Sequence, residues 1–125
     1  MLRVLQKPKN KQIFGQFAEN FAVDLLLQNG YQIKDRNFHS RFGEIDIVCV
    51  KDNTLIFVEV KARHSLKFGY PEEAVTKSKL LKIRKTGEYY SLIHPGLPKK
   101  LRIDVVAIVF SGQAVISSKI IQVGS

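Results

Sequence analysis

Glu19, Asp46, Glu59 and Lys61 are the residues of this chain whose types and spacing best suit joint chemistry. Glu59 and Lys61 are two apart in a strand-like stretch, residues 55–62, where alternate side chains share a face. Asp46 belongs to a similar stretch, 43–50, that presents Glu44, Asp46, Val48 and Val50 on one side. Residues 51–54, Lys-Asp-Asn-Thr, read as a tight hairpin between them. With Asp52 and Asn53 at the tip, Lys51 pairs with Thr54, and the continued register sets Asp46 opposite Glu59 and Glu44 opposite Lys61. A bulge or a three-residue loop would shift that register by one. Two carboxylates about 5 Å apart repel by roughly 3 kcal/mol at an effective dielectric near 20. Lys61, a shared proton or a divalent cation would each offset the repulsion, and hard oxygen ligands favour magnesium or manganese over zinc.

Glu19 comes from a helix predicted over residues 13–28, in which Gln16, Asn20, Asp24 and Gln28 recur as a polar face. It lies off that face among Gly15, Ala22, Val23 and Leu26, toward the packed side or its border. An ionised carboxylate there needs a partner. Glu19, Asp46 and Glu59 are therefore candidate ligands for Mg2+ or Mn2+. Lys61 is the candidate to orient an attacking water or to stabilise charge on a phosphorane-like transition state. Each residue taken singly fits an ordinary ion pair better; their shared face and basic surroundings favour a site.

The elements that must position these groups follow from periodicity and breakers. Asn29-Gly30 ends the first helix, and strands are predicted over 31–38, 43–50 and 55–62. Gly69-Tyr70-Pro71 breaks the chain before a helix over 72–93, interrupted near Thr76, with Leu80, Ile83, Gly87 and Tyr90 as its apolar stripe. Strands over 101–110 and 114–123 complete the order α-β-β-β-α-β-β, an α/β fold with helices packed on a mixed sheet. Residues 1–12, with Arg3, Lys7, Lys9 and Lys11, read as a flexible basic arm, and 13–125 as one domain.

A formal charge of +9 and a pI near 9.8 exceed what a fold of this size needs and point to a polyanionic partner, nucleic acid before others. No apolar run approaches the length of a membrane span. Cys49 stands alone, which excludes a disulfide framework and a thiolate zinc cluster and fits a reducing cytoplasm. Arg41, Arg63, Lys77 and Lys79 are candidate nucleic-acid contacts, and Lys99, Lys100 and Arg102 extend a backbone-binding surface. Glu44 is a candidate outer ligand or partner of Lys61. Asp104 is expected to pair with Arg63 or Arg102, and His39, His64 and His94 are expected at the surface. Two other readings stand beside an enzyme: a nucleic-acid-binding protein with a vestigial site, and an assembly protein whose basic helix binds an acidic partner.

Asp46 followed by Glu59-Val60-Lys61 resembles the PD-(D/E)xK nuclease motif, with Ile45 where a proline often precedes the first acid. Further matches are Gly15, Glu19, Arg36-Asn37, Gly43-Glu44-Ile45-Asp46, residues 57–63 (FVEVKAR), Phe68-Gly69-Tyr70-Pro71, Lys79 and residues 102–106 (RIDVV). Together, over residues 14–110, they resemble the YraN-like family of small bacterial proteins. The resemblance implies a restriction-endonuclease-like fold, related to archaeal Holliday-junction resolvases. It also implies a metal-dependent DNA endonuclease site at Glu19, Asp46, Glu59 and Lys61, and makes a two-fold homodimer an expectation.

Overall fold

The computed structural model describes residues 7–124, and the side chains of residues 13–123. Helix α1 (Lys7–Gln28) leads into three strands, β1 (Gln32–Ser40), β2 (Gly43–Lys51) and β3 (Thr54–Arg63). A 3-10 turn, Pro71–Ala74, and helix α2 (Lys77–Ile93) then precede β4 (Lys100–Ser111) and β5 (Ala114–Gly124). The expected order α-β-β-β-α-β-β is the observed one. All five strands form one sheet in sequence order, antiparallel except for the parallel pair β3 and β4. That parallel pair requires a crossover, and the 3-10 turn with α2 supplies it.

The sheet lies between two apolar layers. On one face Ala18, Ala22 and Leu26, four apart on α1, pack against Ile47, Cys49, Ile56, Val58, Val106 and Ile108. On the other face Ile83 and Tyr90 of α2 pack against Ile45, Val48, Leu55, Phe57 and Ile103. Gly87 is what lets α2 come so close, because a Cβ there would meet Phe57 Cε2 at 2.3 Å.

Two boundaries differ from the sequence reading. α1 begins at Lys7, not at residue 13, so residues 7–12 of the expected arm are helical, while residues 1–6 lie outside the described residues. Apolar periodicity marks only the packed part of a helix, and Pro8 is compatible with a first turn because its missing N–H has no partner there. The second helix splits as expected: Val75 separates the 3-10 turn from α2, and Thr76 caps α2 by accepting from the Lys79 amide at 3.1 Å. Asp52 and Asn53, with φ of 50° and 57°, make the two-residue hairpin turn between β2 and β3. No described helix is long and apolar enough to cross a membrane.

Candidate active site

The β2–β3 ladder starts at Lys51↔Thr54, as expected, and stops at Ile47↔Val58. The next pair would oppose Asp46 to Glu59, and two steps further Glu44 to Lys61; neither is part of the ladder. The reason is a break in the side-chain alternation of β2. Ile47 and Cys49 pack toward α1, whereas Val48, Val50 and also Ile45 pack toward α2. The phase therefore changes at Asp46. Across the β1–β2 ladder Asp46 stands opposite Asn37, between the pairs Arg36↔Ile47 and Phe38↔Ile45, and Asn37 has a φ of 55°. Asparagine tolerates this left-handed conformation better than most side chains. The kink turns Asp46 toward β3, where its Oδ2 accepts a 2.8 Å hydrogen bond from the Val60 amide. In a continued ladder that amide would donate to the Ile45 carbonyl.

The two acids meet nonetheless. Asp46 and Glu59 line one cavity of about 230 Å³ together with Gly43, Glu44, Lys79, Lys82 and Ile83. Glu59 is only 5% exposed. Burial first, and then the negative charge of Glu59, pushes the Asp46 carboxyl up to about 6; the Val60 amide opposes this shift and the charge of Glu19 adds to it. Glu59 faces two ammonium groups, because Lys61 Nζ and Lys79 Nζ each lie 3.6 Å from its Oε2. Among the described residues, no cationic side chain comes within 4.0 Å of the Asp46 carboxylate. Among the described residues, Asp46 is thus the acid of the pair without a cationic partner.

Glu19 approaches from the other side of the kink. Its Oε2 accepts from Arg36 Nη2 at 3.2 Å and from Asn37 Nδ2 at 3.1 Å, and its side chain is 14% exposed. It lines a separate groove with Gly15, Gln16, Asn20, Arg36 and Asn37. Asn37 therefore joins the acids indirectly, its backbone opposite Asp46 and its side chain on Glu19. Among the described residues no three Asp, Glu, His or Cys side chains are gathered closely enough to hold a metal ion by themselves.

Of the candidate phosphate contacts, Lys79 is in the cavity. Lys77 borders a hollow with Leu80, Leu81 and Arg84. Arg41 lies over the Phe42 ring, 4.9 Å from its centroid, and lines a hollow with Phe38, His39 and Tyr89. Arg63 is half-buried, and its Nε makes no hydrogen bond among the described residues. Lys82 was missed as a site residue. The signal was helical spacing: Lys79, Lys82 and Ile83 are i, i+3 and i+4 on one face of α2.

Residues 18–108 match the family described as "Uncharacterised protein family UPF0102". This chain belongs to that family. Similar UPF0102 proteins come from Caldicellulosiruptor bescii, 50% identical over 104 residues (82% of this chain and 87% of the relative), and Syntrophomonas wolfei, 45% identical over 94 residues (75% and 82%). A third, from Persephonella marina, is 43% identical over 97 residues (78% and 84%).

The segment shared with the UPF0102 family contains Glu19, Asp46, Glu59, Lys61 and Lys79. It also contains Asp104, which the geometry keeps apart from the cavity. Asp104 is fully buried on the α1 side, where it accepts from Arg102 Nε at 2.8 Å, Arg102 Nη2 at 3.0 Å and the Tyr31 hydroxyl. Arg102, not Arg63, is its partner. Glu44 pairs with His39 at 3.7 Å, both exposed, and not with Lys61. Of the histidines expected at the surface, His64 is exposed, with its ring tilted against Phe14 at 4.1 Å, whereas His94 is half-buried and stacks on Tyr90 at 3.9 Å.

Proposed function

We propose that this UPF0102 protein is a metal-dependent DNA endonuclease of the PD-(D/E)xK kind, with a restriction-endonuclease-like fold and a cytoplasmic place of work. One observation carries the reading: Asp46 and Glu59 share a cavity walled by lysines, and Asp46 lacks a cationic partner there. The charge of +9 supports a polyanionic substrate.

The donor set fits a hard divalent cation. Magnesium is commonly held by one or two carboxylates, with water and substrate phosphate completing its shell, so two acids without a third close ligand suffice. Asp46 and Glu59 would hold Mg2+ or Mn2+, with Glu19 adding negative charge from across the kink. When bound, the ion supplies Lewis acidity toward a phosphoryl oxygen and lowers the pKa of a water. The chain's own contribution is orientation and charge. The Val60 amide fixes Asp46, leaving its Oδ1 free of that bond. Lys61, beside Glu59, would donate a hydrogen bond from Nζ to a phosphoryl oxygen of the phosphorane-like transition state or to the attacking water. Lys79 and Lys82 bind the phosphates that flank the scissile bond.

Purified protein incubated with branched, flapped and linear DNA in Mg2+ or Mn2+ tests this. The expected result is cleavage that Glu59→Ala abolishes and Lys61→Ala reduces by about a hundred-fold or more; cleavage undiminished by either substitution overturns the assigned site. A second reading, nucleic-acid binding without catalysis, draws on the two lysines that already neutralise Glu59. Binding with a steep salt dependence, no cleavage of any substrate and no effect of Asp46→Ala would select it.

A further inference from the structure

The segment between β3 and the 3-10 turn exposes two aromatic rings, and the catalytic reading uses neither. Phe68 is 78% exposed and Tyr70 52% exposed. Such exposure of a phenylalanine is expensive, since it forgoes burial worth about 2 kcal/mol. The segment is nevertheless firmly built. Gly69 N–H donates to the Leu66 carbonyl at 3.0 Å, closing a turn with Lys67 and Phe68 at its tip. The Tyr70 amide donates to Glu73 Oε1 at 2.8 Å. Gly69 has a φ of 100°, and a Cβ there would lie 2.2 Å from that same Glu73 oxygen, so the turn tolerates glycine alone without adjustment.

The sheet register locates Tyr70, two residues after Phe68, relative to the acids. Lys61 pairs with Ala107 on β4, and Ala107 pairs with Lys119 on β5. The three residues form one row on the cavity face, about 10 Å from end to end at the usual strand spacing. Lys119 Nζ is 2.6 Å from Glu72 Oε2 and 5.8 Å from the centroid of Tyr70. Tyr70 therefore stands at the end of the row that starts at Lys61. Lys67 Nζ lies 5.6 Å from the Phe68 centroid, so each exposed ring has an ammonium group beside it. An aromatic face with an adjacent cation matches one nucleotide, base against ring and phosphate against ammonium.

We infer that Phe68 and Tyr70 form a stacking platform for unpaired nucleobases, so that the preferred substrate carries single-stranded nucleotides next to the bond at Asp46 and Glu59. In a continuous duplex the base faces are already stacked and unavailable to either ring. The inference rests on the proposed reading only in that nucleic acid occupies the cavity.

Phe68→Trp gives a direct probe, because the chain contains no tryptophan. In EDTA, titration with a single-stranded oligonucleotide, or with a duplex bearing a single-stranded overhang, should quench the indole emission; blunt duplex should not. Phe68→Ala should weaken single-strand binding by about ten-fold or more, the lower part of the range for one stacked base, and change blunt-duplex binding by less than about two-fold. Equal losses on both substrates, no loss on either, or no quenching by any nucleic acid would overturn the platform. Cleavage is read separately in Mg2+: a substrate that quenches Phe68→Trp in EDTA yet stays intact in Mg2+ counts against the nuclease and for the platform, and cleavage in Mg2+ of a substrate that does not quench in EDTA counts the other way.

Discussion

The Val60 amide donates to the carboxylate of Asp46 at 2.8 Å, in the place where the hairpin would otherwise bond it to Ile45. A side chain thus replaces a ladder carbonyl, and the two strands part just beyond it. The cavity between Asp46 and Glu59 begins where that ladder ends. Splaying the strands costs ladder hydrogen bonds and partly buries a charge, and under the proposed function the gap it opens gives such a defect a use.

The burial of Asp46 has a measurable cost. Its folded pKa, about 6, lies above the unfolded value of 3.8, so between these values the folded chain binds more protons than the unfolded one. The contribution of this group is fully favourable below the unfolded pKa and is lost as pH rises through 6, by about 2–3 kcal/mol in total. Asp46→Asn removes the charge and retains an oxygen for the Val60 amide. In metal-free buffer the variant should melt at a higher temperature than the parent at pH 7.5 and at nearly the same temperature at pH 4. Mg2+ or Mn2+ should then raise the melting temperature of the parent and leave the variant unmoved. An equal response to the cation in both proteins would remove Asp46 from the binding set.

Element order and the partnership of Glu59 with Lys61 were legible because both depend on local rules, namely periodicity, breakers and strand alternation. The same alternation misled at Glu44. It assumes an unbroken strand, and the break at Asp46 lies opposite the positive φ of Asn37 on a neighbouring strand, a relation between strands that the sequence of β2 alone does not encode. Helical phase brought Glu19 to the edge of the packed side, yet its partners Arg36 and Asn37 lie on β1 and depend on how α1 crosses the sheet. Lys79 reads from the sequence as a phosphate contact; its closeness to Glu59 follows from the crossover, a tertiary relation that no single segment encodes.

Lys61 and Lys79 sit at equal distance from the same oxygen of Glu59 but enter from different elements, a strand inside the sheet and the first turn of a helix. Their substitutions should separate. Lys61→Ala should leave DNA affinity within about two-fold and reduce cleavage by about a hundred-fold or more, the size expected for one lost transition-state donor. Lys79→Ala should weaken binding across all sequences and lower the slope of log affinity against log salt by about one. Anisotropy at several salt concentrations, with single-turnover cleavage, distinguishes the two. A Lys79→Ala variant whose salt slope is unchanged would show that Lys79 serves Glu59 alone.

Gly87 sets the distance between α2 and the sheet, and with it the reach of Lys79 and Lys82. Alanine at this position gains about 1 kcal/mol in helix propensity. Its Cβ, however, would fall within 2.3–2.7 Å of three ring carbons of the fully buried Phe57, and overpacking of that kind costs about 1–3 kcal/mol or more. Gly87→Ala is expected to lower the urea midpoint. Adding Phe57→Leu, which shortens the obstructing ring, should cost less in the Gly87→Ala background than in the parent. Additive losses would place the strain elsewhere.

Asp104 provides the contrast case of an acid more deeply buried than Asp46 but fully partnered. Arg102 and Tyr31 both donate to it, and burial together with that carboxylate pushes the Tyr31 hydroxyl up to about 12. Breaking such a pair by removing one charge typically costs about 3–5 kcal/mol, because the remaining charge is left buried without its counterion. Asp104→Asn should therefore lower the melting temperature strongly. Tyr31→Phe should lower it by less, about 1–3 kcal/mol for one lost hydrogen bond to a carboxylate. Neither change should alter the shift in melting temperature that Mn2+ produces, since Asp104 faces α1 and the cavity faces α2. Thermal melts of both variants with and without Mn2+ check this. A lost cation response in a folded Asp104→Asn protein would mean that the two faces of the sheet are coupled through β4, and that the acids cannot be divided into structural and functional sets by the face they occupy.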